Sequence, residues 1–138
     1  MINSRCLLAA ALLALAAGGP AAAAGGASDG TPGSDQYLQL HPAFVVNLQG
    51  EGRPHYMQAV AQLMSHEPER LQAAQDHDPA IRHQLILLFS ERSVAQMSTM
   101  EGKESLRADA LEAVNEILRR ETGHGGIDAV YFTSLVIQ

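Results

Sequence analysis

Cysteine is almost absent from this sequence, and that removes several kinds of chemistry. The single cysteine among the 138 residues is Cys6, which lies in the first segment of the chain. The rest of the chain has no thiol for a disulfide, a thiolate metal site or a cysteine nucleophile. We therefore expect none of these in the exported part of the protein.

Positive charge is scarce as well. From Gly25 onward, eight Lys and Arg residues stand against fifteen Asp and Glu residues, which gives a net charge of −7 with neutral histidines. Such a surface repels nucleic acid phosphates and anionic lipid headgroups. The expected partner is therefore a protein or a small molecule rather than a nucleic acid.

Motifs for catalysis and for cofactor binding are missing too. The stretch EGKES at 101–105 lacks the glycine and the Ser or Thr that complete a phosphate-binding loop around Gly102 and Lys103. The six histidines show neither the i, i+4 nor the His-x-His spacing of metal sites, and there is no G-x-S-x-G nucleophile motif. We predict that the protein is not an enzyme and has no cofactor or metal.

The first 24 residues have the features of a secretory signal peptide. Arg5 supplies a positive charge, residues 7–17 are apolar, and the chain then reaches small residues that end at Ala24. The alternative is an uncleaved signal anchor, because residues 7–24 have about the length of a membrane-spanning helix. The Gly-Gly-Pro break at 18–20 favours cleavage after Ala24.

The next residues predict a boundary between a linker and a domain. Residues 25–36 are dominated by glycine and small polar side chains, which bury too little apolar area to order themselves. We predict a flexible linker over 25–36 and a single domain over 37–138.

Two stretches with alternating apolar residues predict an antiparallel hairpin. The first, YLQLHPAFVVNL at 37–48, places Leu38, Phe44 and Val46 on one face. Pro42 cannot donate a ladder hydrogen bond, so either the strand starts after it or the segment lies at a sheet edge. The second, HYMQAVAQLM at 55–64, alternates in the same way after a turn of about six residues.

The spacing of apolar residues then changes to that of helices. Residues 67–77 are polar with a weak apolar face, which predicts a short surface helix. Asp78 followed by proline predicts the start of a second, largely buried helix. The longest helix is predicted over 98–121, with Ser98 and Glu101 at capping-box spacing and Gly123 as its C-cap.

The stretch VYFTSLVIQ at 130–138 is apolar on both faces of a predicted strand. Simple alternation places Val130, Phe132 and Val136 on the core face and leaves Tyr131, Leu135 and Ile137 on the other. We predict an inner strand of the sheet whose second face is a possible subunit contact. With helices covering one face of an antiparallel sheet, the predicted fold class is α+β.

Four stretches together resemble the periplasmic domain of the flagellar basal-body-associated FliL family. They are YLQLHPAFVVNL, PAIRHQLILLFSE, MEGKESLRADALEAVNEIL and VYFTSLVIQ, in the same order as in the family. The positions that match the family motif look like fold-defining rather than reactive residues: Phe44, Val46, Asn47, Gly102, Leu106, Arg107, Val130, Tyr131, Phe132 and Thr133.

This resemblance implies a stomatin-like domain that forms a ring-like homo-oligomer and associates with the flagellar stator units that drive rotation. It further implies a periplasmic location at the inner membrane and basal body, and a role in motility. The family normally has a membrane-spanning helix before the domain, whereas this chain begins like a signal peptide. Membrane contact is therefore expected only through an uncleaved N-terminus or through the stator. The alternative is a soluble periplasmic module that binds a small ligand or another partner and has no flagellar role.

Overall fold

A computed structural model describes residues 34–138 of the chain. The predicted signal peptide or anchor, and residues 25–33 of the predicted linker, lie outside the described residues. The elements are, in chain order, β1 Gln36–Gln39, β2 Phe44–Leu48, β3 His55–Ser65, α1 Pro68–Asp76, α2 Asp78–Ser90, α3 Val94–Met97, α4 Met100–Thr122 and β4 Ala129–Ile137.

Strand β3 is the centre of an antiparallel sheet. Strand β2 pairs with its first half and β1 with its second half, so the two short strands follow each other along one edge of β3. The predicted hairpin of β2 and β3 is confirmed. The stretch 37–48, however, contains two strands, β1 and β2, and not one. Pro42, which has no N–H to donate, lies between them.

Strand β4 lies at the opposite edge of the sheet. Among residues 34–138 it pairs only with β3, along 57–64 of that strand. The prediction that it is an inner strand is therefore wrong, and β3 has that place. Apolar composition misled the prediction, because an edge strand beside a helix can be as apolar as a central one.

A bulge in β4 also changes which side chains face the core. Val60 pairs with Ser134 whereas Ala61 pairs with Phe132, so Thr133 is left as an extra residue in the ladder. The extra residue reverses the alternation. Leu135 and Ile137 consequently pack against the core and Val136 is exposed, which is the reverse of the prediction for these residues.

The helices cover one face of the sheet, which we call the inner face. Buried residues from β2, β3 and β4 meet buried residues from the four helices in one core. On α4, Leu111 and Val114 face this core while Glu112 and Glu116 are exposed, as the helical spacing predicts. The predicted α+β class, with an antiparallel sheet and helices on one face, is confirmed.

Two predicted helix starts are displaced by one residue. Thr99, not Ser98, caps α4 and accepts a hydrogen bond from the Gly102 N–H at 3.0 Å. Helix α2 begins at Asp78 with His77 as its N-cap residue. The predicted C-cap is confirmed, because Gly123 ends α4 with φ of 84°, a left-handed conformation that glycine adopts without strain.

Candidate interaction surface

The family-motif residues on the inner face are packing residues. The ring of Phe44 lies edge-to-face against Phe89, with centroids 5.3 Å apart, and Phe89 meets Phe132 in the same way at 5.7 Å. This chain of three rings ties β2 and β4 to α2 across the core. The other buried members of the motif are Val46, Leu106 and Val130.

Gly102 has a steric role at the start of α4. A Cβ at this position would lie 1.8 Å from the carbonyl oxygen of Gln96, far inside any real contact distance. The backbone of α3 at Gln96 therefore lies so close to the first turn of α4 that a side chain does not fit. Asn47, in contrast, is an exposed residue of β2.

The face of the sheet that points away from the helices is called the outer face, and it is uncharged. None of the four strands contains Lys, Arg, Asp or Glu. The exposed positions of the strands include Tyr37, Val45, Tyr56, Tyr131 and Val136, each at least 40% accessible. Aromatic side chains and a lack of charge distinguish protein interfaces from ordinary surface.

A groove runs between β4 and the first half of α4, and we call it the β4 groove. It has a volume of about 290 Å³ and is lined by Met100, Lys103, Glu104, Arg107, Tyr131, Phe132 and Leu135. Met100 is 70% exposed at its mouth. Two of the lining residues, Arg107 and Glu104, form an ion pair at 2.9 Å. The groove thus combines apolar lining with a strand edge that has no partner in the described chain.

A second groove, the β2 groove, runs along the opposite edge of the sheet. It is lined by residues 45–48 of β2, by Gln49 just after the strand, and by Ile86 and Ser90 of α2. Val45 is 65% exposed and Ile86 is 41% exposed. At one end Gln49 is bridged to the α2–α3 connection, which leaves the remainder of the β2 edge open.

The predicted contact residues divide between these surfaces. Tyr131 is exposed on the outer face, and its ring lies 6.4 Å from that of Tyr37. Leu135 lines the β4 groove, and Ile137 packs against the core. Thr133 is the bulge residue, and its hydroxyl donates to the Val60 carbonyl at 3.4 Å.

Sequence reasoning missed Met100, Val45 and Ile86, which give the two grooves their exposed apolar surface. The sequence did contain a sign that Met100 is exposed. It is an unbranched apolar residue at the first position of a helix whose start is exposed, where there is no core for it to pack against. Ile86 was assigned to a buried helix, yet only one side of α2 is covered.

Within residues 34–138, no group of three or more His, Cys, Asp or Glu side chains is arranged to hold a metal ion. No helix in the same range is both long and apolar enough to cross a membrane.

Comparison with known proteins gives the same family as the motifs. The family model described as flagellar basal body-associated protein FliL matches residues 37–138. The flagellar protein FliL of Aquifex aeolicus (strain VF5) is 34% identical over 100 residues, which are 72% of this chain and 60% of that protein. The chain thus spans about three fifths of the relative's length. It belongs to the FliL family of flagellar basal body-associated proteins.

Proposed function

We propose that this protein assembles into a ring of identical subunits that associates with the flagellar stator units in the periplasm and supports rotation under load. The observation that carries the assembly is the presence of two different grooves at opposite edges of one sheet, each bordered by exposed apolar side chains. Each lies beside a strand edge that pairs with no further strand among residues 34–138, and such edges pair readily with another chain.

The position of the two grooves favours a head-to-tail contact. A twofold dimer joins one patch to the same patch of its partner, whereas a ring joins one patch to a different patch of the next subunit. We infer that the β4 edge of one subunit meets the β2 edge of the next, so that the sheet continues from copy to copy. The exposed apolar side chains at both edges are then covered.

The stator is the proposed second partner, and the support for it is family membership together with the chemistry of the surface. Helix α4 has an acidic outer side on which Glu112 and Glu116 accept hydrogen bonds from Arg119 at 2.7 and 3.0 Å. The outer face of the sheet, in contrast, is uncharged. A ring built from edges leaves both surfaces free for the partner.

The alternative, a module for small ligands, needs an enclosed pocket between sheet and helices. The two grooves instead lie open along strand edges, a geometry that suits an extended or sheet-forming protein partner better than a small molecule.

The assembly is tested by placing charge at one edge. Val136 and Gln58 are paired neighbours on the outer face, but Val136 belongs to the edge strand and Gln58 to the central strand. We expect Val136→Lys to reduce the assembly to monomers in light scattering, because a lysine on an edge strand opposes pairing with another strand. Gln58→Lys should leave the assembly intact. Equal masses for both variants and the unmodified protein would overturn the proposed edge.

The flagellar role is tested in a flagellated host. Deleting the gene should leave filaments in place but reduce swimming or swarming under load, and stator proteins should co-purify with the complemented protein. Normal motility at every load, with no stator protein recovered, would contradict the stator proposal without bearing on the ring.

A further inference from the structure

Three acidic or basic side chains meet where the chain enters the folded domain. The ring of His66 lies between two carboxylates, with Nδ1 2.8 Å from Asp128 Oδ2 and Nε2 3.0 Å from Asp35 Oδ1. The backbone N–H of His66 also donates to Asp128 at 2.9 Å. All three side chains are about half exposed.

Both ring nitrogens of His66 can donate a hydrogen bond to a carboxylate only when the ring is protonated. A neutral imidazole has one N–H and one acceptor nitrogen, whereas an ionised carboxylate can only accept hydrogen bonds. Loss of the proton therefore leaves one ring nitrogen with its lone pair directed at a carboxylate. In agreement, the hydrogen bond with Asp128 and the charges of both carboxylates raise the pKa of His66 above its usual value.

The two carboxylates are not held equally. Asp128 accepts from the backbone N–H of His66, and its own N–H donates to the Met64 carbonyl at 2.9 Å. Next to it, Ser65 donates to the Gly126 carbonyl at 2.6 Å. These bonds do not depend on the charge of His66, so the contact between β3 and the start of β4 persists when the proton leaves. The contact with Asp35 depends on that charge.

Asp35 has a particular place in the chain, because it immediately precedes β1 and follows the segment over 25–34. Other titratable groups around the cluster are Tyr37, whose pKa is raised by partial burial and by Asp35, and the ion pair of Glu67 with Arg70 at 3.0 Å. Neither Glu67 nor Arg70 forms an ion pair with His66 among the described residues.

We propose that His66 is a proton-controlled clamp that fixes Asp35 and the start of β1 against the rest of the sheet. The protonated ring holds Asp35, and with it the start of β1, against β3 and β4. The neutral ring keeps its bond to Asp128 and releases Asp35. The chain at Asp35 is then held rigidly at acidic pH and loosely at alkaline pH. This inference does not depend on the ring or on the stator.

The test is an NMR titration of the full chain. The shift of the His66 ring proton gives its pKa, and the heteronuclear NOE of the Asp35 and Gln36 amides reports local order without an intrinsic dependence on pH. We expect this order to be lost as pH rises through the His66 pKa. In Asp35→Asn the pKa should fall toward its usual value, and the order should be low at every pH.

Matched variants separate the clamp from a general effect of pH. His83 is an exposed histidine of α2 that forms no ion pair within residues 34–138, so His83→Gln should behave like the unmodified protein. His66→Gln should show low order at Asp35 throughout. The same His66 pKa in Asp35→Asn and in the unmodified protein, or an NOE at Gln36 that stays constant through the titration, would overturn the proposal.

Discussion

The inner and outer faces of the sheet come from the same strands, yet they differ in what covers them. On the inner face, Met57, Ala59 and Leu63 are fully buried beneath the helices. On the outer face, Tyr37, Val45 and Tyr56 remain roughly half exposed or more, without any charged residue between them. A strand face without charged residues is normally buried. The inner face is buried by the helices and stabilises the fold, whereas the outer face is uncharged yet exposed and is therefore available to a partner.

The difference is also visible in how the two faces are packed. The inner face contains interlocked aromatic rings and a helix start that leaves no space for a Cβ at Gly102. On the outer face the rings of Tyr37 and Tyr131 are tilted with centroids 6.4 Å apart, and both side chains are exposed. We therefore expect substitutions on the inner face to change stability and substitutions at the edges to change assembly.

Removing the central ring of the inner face should have the largest effect on stability. Phe89 is fully buried and contacts both Phe44 and Phe132, so Phe89→Ala removes a large buried ring and leaves a cavity. The expected cost is about 3–5 kcal/mol of unfolding free energy, measured by urea denaturation. Tyr56→Ala, on the outer face, should cost about 1 kcal/mol or less. Equal costs would remove the distinction between the two faces.

A smaller effect on stability is expected from a substitution in the first turn of α4, one of the helices that cover the inner face. Gly102→Ala places a methyl group against the Gln96 carbonyl, which forces the α3–α4 turn to move. The expected cost is about 1–3 kcal/mol, even though alanine has the better helix propensity. Ser105→Ala, an exposed site one turn later, should change stability by no more than about 0.5 kcal/mol. Thermal melts of the two variants decide whether the close approach is real, and a stabilised Gly102→Ala would show that it is not.

The smallest effect is a pH dependence at the end of the sheet. Because the folded-state pKa of His66 is raised, its ion pairs stabilise the fold below the unfolded-state value of 6.5, and the contribution disappears as pH rises through the folded-state pKa. The pKa of Asp128 is lowered from 3.8, mainly by the His66 backbone N–H, so its contribution is lost only in stronger acid. The melting temperature of His66→Gln should therefore lie below that of the unmodified protein near pH 5. The two should converge near pH 9, and a constant difference would contradict this.

Much of the fold could be predicted from local patterns. Alternation gave the correct faces for β2 and β3, and the spacing of apolar residues gave the buried side of α4. Those patterns work because each element has one dominant buried side. Simple alternation failed in β4, since the bulge at Thr133 depends on pairing with β3 and leaves no mark in the strand's own residue pattern.

The candidate surface was less predictable, because it depends on how separate elements are placed. Met100 and Tyr131 are distant in sequence and share one groove only through the packing of α4 beside β4. The same holds for Asn115, a helix residue whose side-chain oxygen accepts from the N–H groups of Gly126 and Ile127 and so fixes the approach to β4. Sequence spacing predicts neither contact.

Head-to-tail pairing of the two sheet edges is tested most directly by mixing two single-cysteine variants of the full chain in which Cys6 is replaced by serine. One variant has Val45→Cys on β2 and the other has Val136→Cys on β4, both on the outer face. If the edges pair, mild oxidation should produce disulfide-linked dimers in the mixture and little in either variant alone, because a disulfide needs Cα atoms within about 7 Å. Dimers of Val136→Cys alone, or none in the mixture, would contradict the head-to-tail arrangement.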